Sequence, residues 1–324
     1  MRLPLLLALA LPLALAIPAR ADVAEAIRDH VLPGHARLTE ATAALAASES
    51  CVPDDLRPLW HDAFDAWLGV AHLRLGPVEE EGRALAIAFW PDPKGIGAKQ
   101  QRALLAKADP AVLTPENFAR QSVALRGLFA LERLLWPTEA WTGDYPCALI
   151  HATADDLAAT AQAVQAGWEN GFADSLLHPG PGLRYLTEAE TRQALFTTLI
   201  TGLEFNADQR LGRPLGSFDK PRSERAEARV SGRSLRNIAL SLMALRDLAH
   251  TLHADLPRSD AGFATALQQI DRMQDPALQG VAEPQGWLKA DILAQQIRAI
   301  RDAALAEIGP ALGVGIGFNA ADGD

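Results

Sequence analysis

The stretch from Pro115 to Trp136, PENFARQSVALRGLFALERLLW, has the spacing of a long helix with one apolar face. Thr114 suits the N-cap of that helix, and Pro115 suits its first helical position. Six residues recur at alternating steps of four and three and define one stripe: Phe118, Ser122, Leu125, Phe129, Glu132 and Trp136. Because such a stripe faces the protein interior, we expect Glu132 to be buried.

The composition of the 324 residues favours helices. Hydrophobic residues make up 49% of the chain, charged residues 22% and aromatic residues only 6%, and Ala and Leu dominate. This composition argues against a β-sandwich or β-barrel and predicts an all-α fold. The net charge of -10 argues against a general nucleic-acid-binding protein, since such proteins gather positive charge around phosphates.

The first 21 residues have the features of a cleaved signal peptide. Arg2 gives a positive start, an apolar run follows from Leu5 to Ile17, and Ala19-Arg20-Ala21 is the small-x-small pattern that signal peptidase reads. We therefore expect cleavage after Ala21 and export to the periplasm. The rest of the sequence has no apolar run of about 18 residues, so the mature protein is expected to be soluble there.

Turns marked by proline and glycine divide the mature chain into two helical halves. We predict one bundle in residues 22–170, a linker in the Pro- and Gly-rich segment 171–185, and a second bundle in residues 186–324. The helix exits Arg74-Leu-Gly-Pro77 and Arg210-Leu-Gly-Arg-Pro214 are alike, which indicates an internal duplication. Coincidence is the alternative, because glycine and proline are common at helix ends.

The sequence contains two cysteines, Cys51 and Cys147. An oxidising compartment favours a disulfide between them, and two buried free thiols are the alternative. Closing a loop of this length would stabilise the fold by roughly 4–5 kcal/mol.

Three acidic residues are candidate ligands. A buried Glu132 needs a metal, a cation or several hydrogen-bond donors, and an ion pair with an arginine is the plainer alternative. Glu204 and Asp208 lie four residues apart, so both project from one face of a helix that continues to Arg210. Their oxygens suit weak binding of iron or another divalent metal. A solvated face, or pairs with arginines, is the alternative.

The histidine spacing gives weaker indications. His61, Asp65 and His72 fall on one helical stripe, but the two histidines are three turns apart, too far to share one ion. His250 and His253 have the spacing of a metal site but are more typical of a surface pair. The sequence has no His-Glu-x-x-His zinc signature, no Gly-x-Ser-x-Gly elbow and no phosphate loop.

Several segments, taken together and in order, resemble the imelysin family. They span nearly the whole mature chain: Trp60–Pro77, Phe89–Asp92, Ser122–Trp136, Gly202–Gly216 and the tail from Gly317. The resemblance implies an all-α fold of two related four-helix bundles with a site at their junction. It also implies a periplasmic or envelope location and an association with iron uptake.

The family's proposed metallopeptidase motif is Gly-x-His-x-x-Glu, in which the histidine and the glutamate are the supposed metal ligands. In this sequence the motif glycine is Gly127 and the glutamate is Glu132, but Phe129 stands at the histidine position. Phenylalanine cannot bind a metal, so the motif lacks one ligand. A metal-dependent peptidase would need a histidine from elsewhere, such as His72.

Three functions remain to be compared. The favoured one is a non-catalytic binding or accessory component of periplasmic iron acquisition, with other envelope iron-uptake components as its partners. The alternatives are a metal-dependent peptidase and a protein-interaction module without a small ligand. We predict a binding site at the junction of the two halves and assign no catalytic residue; the binding residues are Glu132, Glu204, Asp208, Arg74 and Arg210.

Overall fold

The computed structural model describes residues 22–314. Over that range the chain forms helices joined by loops and contains no β-strand, only an isolated bridge between Ser217 and Lys220. The predicted all-α fold is confirmed. The predicted signal peptide, residues 1–21, and the tail from Gly317 lie outside the described residues. None of the described helices is long and apolar enough to cross a membrane.

Nine helices of at least two turns form the framework of residues 22–314. They are α1 (Leu32–Ala46), α2 (Pro53–Leu68), α3 (Ile96–Lys107), α4 (Gly127–Leu135), α5 (Tyr145–Gly167), α6 (Glu188–Glu204), α7 (Ser234–Leu252), α8 (Pro257–Met273) and α9 (Pro284–Leu312). Short α-helical segments occur at Val23–Glu25, Arg83–Ile87, Pro115–Phe118, Ala173–Leu177 and Gly212–Leu215. The 3-10 turns are Gly76–Val78, Glu80–Gly82, Pro110–Leu113, Val123–Leu125, Ser223–Arg225 and Gln279–Ala282. Three segments are π-helical: Ala26–Val31, Trp168–Phe172 and Phe205–Leu211.

Eight of these helices pack as two groups of four. In the first group α1 contacts α2 and α5, and α4 contacts the same two helices. In the second group α6 contacts α7 and α9, and α8 contacts the same two. Helices α2 and α7 pack against each other across the groups, and the buried apolar side chains form one continuous core. The domain bounds and the internal duplication stay predictions.

The prediction of a single helix from Pro115 to Trp136 is wrong in its first half. The chain instead forms a short helix, a 3-10 turn and then α4. Gly127 begins α4 with a φ of +68°, and a Cβ at this position would lie 2.1 Å from the carbonyl oxygen of Ala86. Only glycine allows this approach, so a distant segment breaks a helix that local spacing favours.

The predicted disulfide between Cys51 and Cys147 is present. Cys51 lies just before α2, and Cys147 lies in the first turn of α5. The bond therefore ties together the starts of two helices in the first group. The Nε2 atom of His151 lies 3.1 Å from Cys51 Sγ.

Replacing both cysteines, Cys51→Ala and Cys147→Ala, should lower the free energy of unfolding by about 4 kcal/mol, because the crosslink restricts the unfolded chain over a sequence separation of 96 residues. Urea unfolding of the two proteins measures the difference. Thiol labelling of the denatured, unreduced wild type should find no free cysteine. Two labelled thiols, or equal unfolding midpoints, would contradict this prediction.

Candidate functional site

Glu132 lies on α4 and is buried, as its position on the apolar stripe predicts, with only 6% of its surface exposed. Its Oε1 atom accepts hydrogen bonds from the backbone N–H of Ser231 at 3.0 Å and from the Ser231 hydroxyl at 2.7 Å. Burial raises the pKa of the Glu132 carboxyl, and the two bonds from Ser231 partly oppose that rise. No arginine among residues 22–314 pairs with Glu132, and the neighbouring Arg133 binds Gln101 and the carbonyl of Ala124.

A buried arginine lies at the start of α7, close to Ser231 in sequence. Arg233 is only 1% exposed, and its Nη2 donates to Asp65 Oδ1 on α2 at 2.5 Å. Its Nη1 lies 2.8 Å from His61 Nδ1, and its guanidinium stands 4.6 Å from the ring centre of Phe64. Burial opposes ionisation of Asp65, but hydrogen bonds from Arg236 and Arg233 hold its pKa below the ordinary value. The positively charged group at the junction of the two helix groups is therefore an arginine side chain of the protein itself.

A second buried ion pair joins Arg210 to Glu227, which lies in the segment before α7. Arg210 Nε donates to Glu227 Oε2 at 2.7 Å, and both side chains are almost fully buried. Asn237 donates to the same carboxylate oxygen at 2.9 Å and accepts from Arg233 Nε at 3.0 Å. Arg210 also donates to Asn206, which donates to Ser241 at 2.9 Å. A continuous polar network thus runs from Asp65 to Ser241.

A cavity of about 670 Å³ opens beside this network, between the two helix groups. Its walls in the first group include Trp67, His72, Arg74 and Trp90. Its walls in the second group include Thr198, Thr201, Phe205, Arg210, Glu227 and Ser241. A cavity of this size, mostly apolar with a few polar groups, is typical of a binding site for a small organic molecule.

The sequence pattern over most of the chain identifies the family to which it belongs. The family model described as Imelysin matches residues 29–304. The chain belongs to the imelysin family. No curated protein matches this imelysin sequence.

Two solved structures are similar to this imelysin-family chain. One is an imelysin-like protein from Psychrobacter arcticum, with a TM-score of 0.73 and 18% identity, over 91% of this chain and 96% of the other. Another, from Parabacteroides distasonis, is named iron-regulated protein A precursor; it has a TM-score of 0.69 and 12% identity, over 89% of this chain and 94% of the other. Both comparisons support the all-α imelysin fold.

The metal ligands implied by the family motif do not fit together in this imelysin. Phe129 packs its ring edge-on against Phe64, with ring centres 5.5 Å apart. Glu132 faces Ser231, and the cation whose charge acts on it is the neighbouring Arg133. Across residues 22–314, only Cys51, Cys147 and His151 form a group of three potential ligands, and the two cysteines are bonded to each other. A catalytic metal needs about three protein ligands, and the surroundings of Glu132 do not supply them.

The five predicted binding residues are placed in three different surroundings. Arg74 and Arg210 both line the cavity, and Glu132 lies near Glu227, whose charge helps raise its pKa. Glu204 and Asp208 instead face α9, where Glu204 lies 3.5 Å from Arg301 and Asp208 2.8 Å from Arg298. Both acids therefore lie beside arginines, as the alternative to metal binding proposed from the sequence states, and neither lines the cavity. A ligand-binding role for all five residues stays a prediction.

Sequence reasoning missed Glu227, Ser231 and Arg233. All three lie in an irregular loop before α7, where no periodicity marks them. One signal was available nearby: Ser234, Asn237 and Ser241 recur at steps of three and four on α7 and are all buried. A polar row on a buried helix face needs polar partners, and it would have indicated the network.

Three histidines of the first helix group are buried, His30, His35 and His72, and His72 lines the cavity. The Nε2 atoms of His30 and His72 are 2.9 Å apart, and His35 stacks on Trp168 with ring centres 5.6 Å apart. Burial lowers the pKa of His30 to about 4, with a contribution from the charge of Arg37. Burial lowers the pKa of His35 to about 3, and it lowers that of His72 well below the ordinary value. His72 pairs with His30, so it does not complete a metal site at Glu132.

These pKa values predict loss of stability in acid. Above pH 6.5, the ordinary histidine value, the rings are neutral in both the folded and unfolded states. Below it the unfolded chain takes up protons that the buried rings refuse, so the free energy of unfolding should fall as the pH drops from 6.5 to about 4. Each histidine contributes a slope of up to about 1.4 kcal/mol per pH unit.

The variant His35→Phe tests this origin, because it keeps the stack on Trp168 and removes one titrating ring. Urea unfolding at a series of pH values should give a shallower acid slope than that of the wild type. His178→Phe, at an exposed ring, is the matched control. Equal slopes for wild type and His35→Phe would show that His35 does not drive the loss.

Proposed function

We propose that this imelysin-family protein is an exported, non-catalytic binding component of iron acquisition in the periplasm, with other envelope iron-uptake components as its partners. The observation that carries the proposal is the cavity between the helix groups, whose wall includes Arg74 and Arg210, the arginines of the two matching helix exits. The features of a signal peptide in residues 1–21 support export. The similar fold of a protein named iron-regulated protein A supports the iron context.

The surroundings of Glu132 argue for binding rather than catalysis. A metallopeptidase needs an ion with an open position and a base that takes a proton from the bound water. Glu132 is held by Ser231, and Phe129 fills the motif's histidine position with a ring that packs against Phe64. These residues therefore favour a protein that holds its ligand unchanged.

A peptidase assay tests the non-catalytic part of the proposal. Purified protein of residues 22–324, incubated with unfolded polypeptides and added zinc or iron, should show no cleavage that a chelator abolishes. Glu132→Gln and the control Glu139→Gln, at an exposed position, should behave like the wild type. Chelator-sensitive cleavage that disappears in Glu132→Gln and persists in Glu139→Gln would overturn this part and favour the peptidase.

Blocking the cavity tests the binding part. Ala194 lies on α6 at the cavity wall, so Ala194→Trp should place an indole in the cavity and leave less room for a ligand. In the encoding bacterium with its own gene deleted, this variant should fail to restore growth and cellular iron content under iron limitation. Ala189→Trp, at an exposed position on the same helix, should restore both. Full restoration by Ala194→Trp would contradict a role for the cavity.

A further inference from the structure

The charged groups that line the cavity balance one another. Arg74 pairs with Glu79 at the more exposed side, and Arg210 pairs with Glu227 in the buried part. His72, the remaining titratable residue of the lining, is kept neutral because burial lowers its pKa. The cavity therefore presents two cations and two anions, each paired, and no net charge.

The buried pair still has hydrogen-bonding capacity to offer. Arg210 uses Nε and Nη1 for Glu227 and Asn206, and its Nη2 has no partner among residues 22–314. Glu227 accepts both of its bonds through Oε2, and its Oε1 has no partner in the same range. Both side chains are more than nine-tenths buried and line the cavity. One buried ion pair thus has both a donor and an acceptor left for a ligand of the cavity.

The other walls favour an amphipathic occupant. The hydroxyls of Thr198 and Thr201 donate to helix carbonyls at 2.8 and 2.9 Å, so their oxygens remain as acceptors. Trp67, Trp90 and Phe205 supply flat apolar surface, and the rings of Trp90 and Phe205 meet edge-on, 5.9 Å between centres. Aromatic walls of this kind favour a planar apolar group on the ligand.

We propose that the cavity binds a small organic molecule of zero net charge, with a planar apolar part and a head group that offers an acceptor to Arg210 and a donor to Glu227. A zwitterion or an amide has such a head group. A ligand with a net charge would lose hydration on entering the cavity. Because every charged side chain of the lining is already paired, no ion pair with the protein would compensate for that loss. The inference rests on the proposed function, and it implies that iron would enter this cavity only within an uncharged organic complex.

Four probes with the same phenyl body test charge selection. They are L-phenylalanine as the zwitterion, N-acetyl-L-phenylalanine amide as the neutral amide, phenethylamine as the cation and 3-phenylpropionate as the anion. Binding to purified protein of residues 22–324 is followed by tryptophan fluorescence, since Trp67 and Trp90 line the cavity, and by calorimetry. We expect the zwitterion and the amide to bind at least about tenfold more tightly than either charged probe.

Charge-removing variants should change this selectivity in opposite directions. Glu227→Gln leaves Arg210 without its counter-charge, so binding of 3-phenylpropionate should tighten about tenfold relative to phenylalanine. Arg210→Gln should favour phenethylamine in the same way. Glu139→Gln, at an exposed position outside the cavity, is the matched control and should keep the wild-type order. Thermal melting checks that each variant is folded. If a variant does not fold, the binding of the four probes to the wild type alone tests whether the cavity selects ligands of zero net charge.

The outcomes separate this inference from the proposed function. A charged probe that binds the wild type as tightly as phenylalanine would overturn the zero-charge inference and leave a binding cavity in place. Failure of all four probes to bind would also overturn it, and the growth experiment with Ala194→Trp would then decide the proposed function independently. Loss of phenylalanine binding in Ala194→Trp but not in Ala189→Trp would place the probe in the cavity.

Discussion

The ion pair between Arg233 and Asp65 is the contact on which the junction of the two helix groups depends. Arg233 stands at the start of α7, Asp65 lies on α2, and the guanidinium has lost nearly all contact with water. Removing Asp65 would leave the buried guanidinium of Arg233 without its carboxylate, and losing one partner of a buried pair costs about 3–5 kcal/mol. With Arg233 anchored, the preceding loop brings Ser231 to Glu132 and Glu227 to Arg210.

The residues at the family motif do not have the chemistry of a metal centre. The proposed metallopeptidase motif has a histidine and a glutamate, yet here a phenylalanine stands at the histidine position and the glutamate is held by a serine. Burial raises the pKa of Glu132, which disfavours the ionised form that a metal would need. The acid therefore contributes to the contact between the helix groups through its bonds from Ser231.

Two π-helical segments supply side chains to the cavity and its surroundings. Ala26–Val31 carries His30, which pairs with His72, and Phe205–Leu211 carries Phe205, Asn206 and Arg210. A π-helical turn holds more residues than an α-helical turn, so the side chains that follow it are rotated around the axis, and such turns often occur at functional sites. Gly202 adds a close approach, since a Cβ there would lie 2.6 Å from Leu245 and 3.0 Å from His72. The cavity wall thus depends on departures from regular helix geometry.

The sequence by itself determined the all-α fold, the burial of Glu132 and the Cys51–Cys147 disulfide. The fold follows from composition, the burial from helical spacing, and the disulfide from the oxidising compartment and the presence of two cysteines. None of these requires knowing which residues become neighbours in space. The sequence also singled out Arg74 and Arg210, through their matching helix exits. Only the tertiary structure decided that Gly127 breaks the predicted long helix, that Glu132 meets Ser231, and that Glu204 and Asp208 turn to α9. Each of these depends on a contact between segments far apart in the chain, and helical periodicity shows which face is buried but not which residue lies opposite.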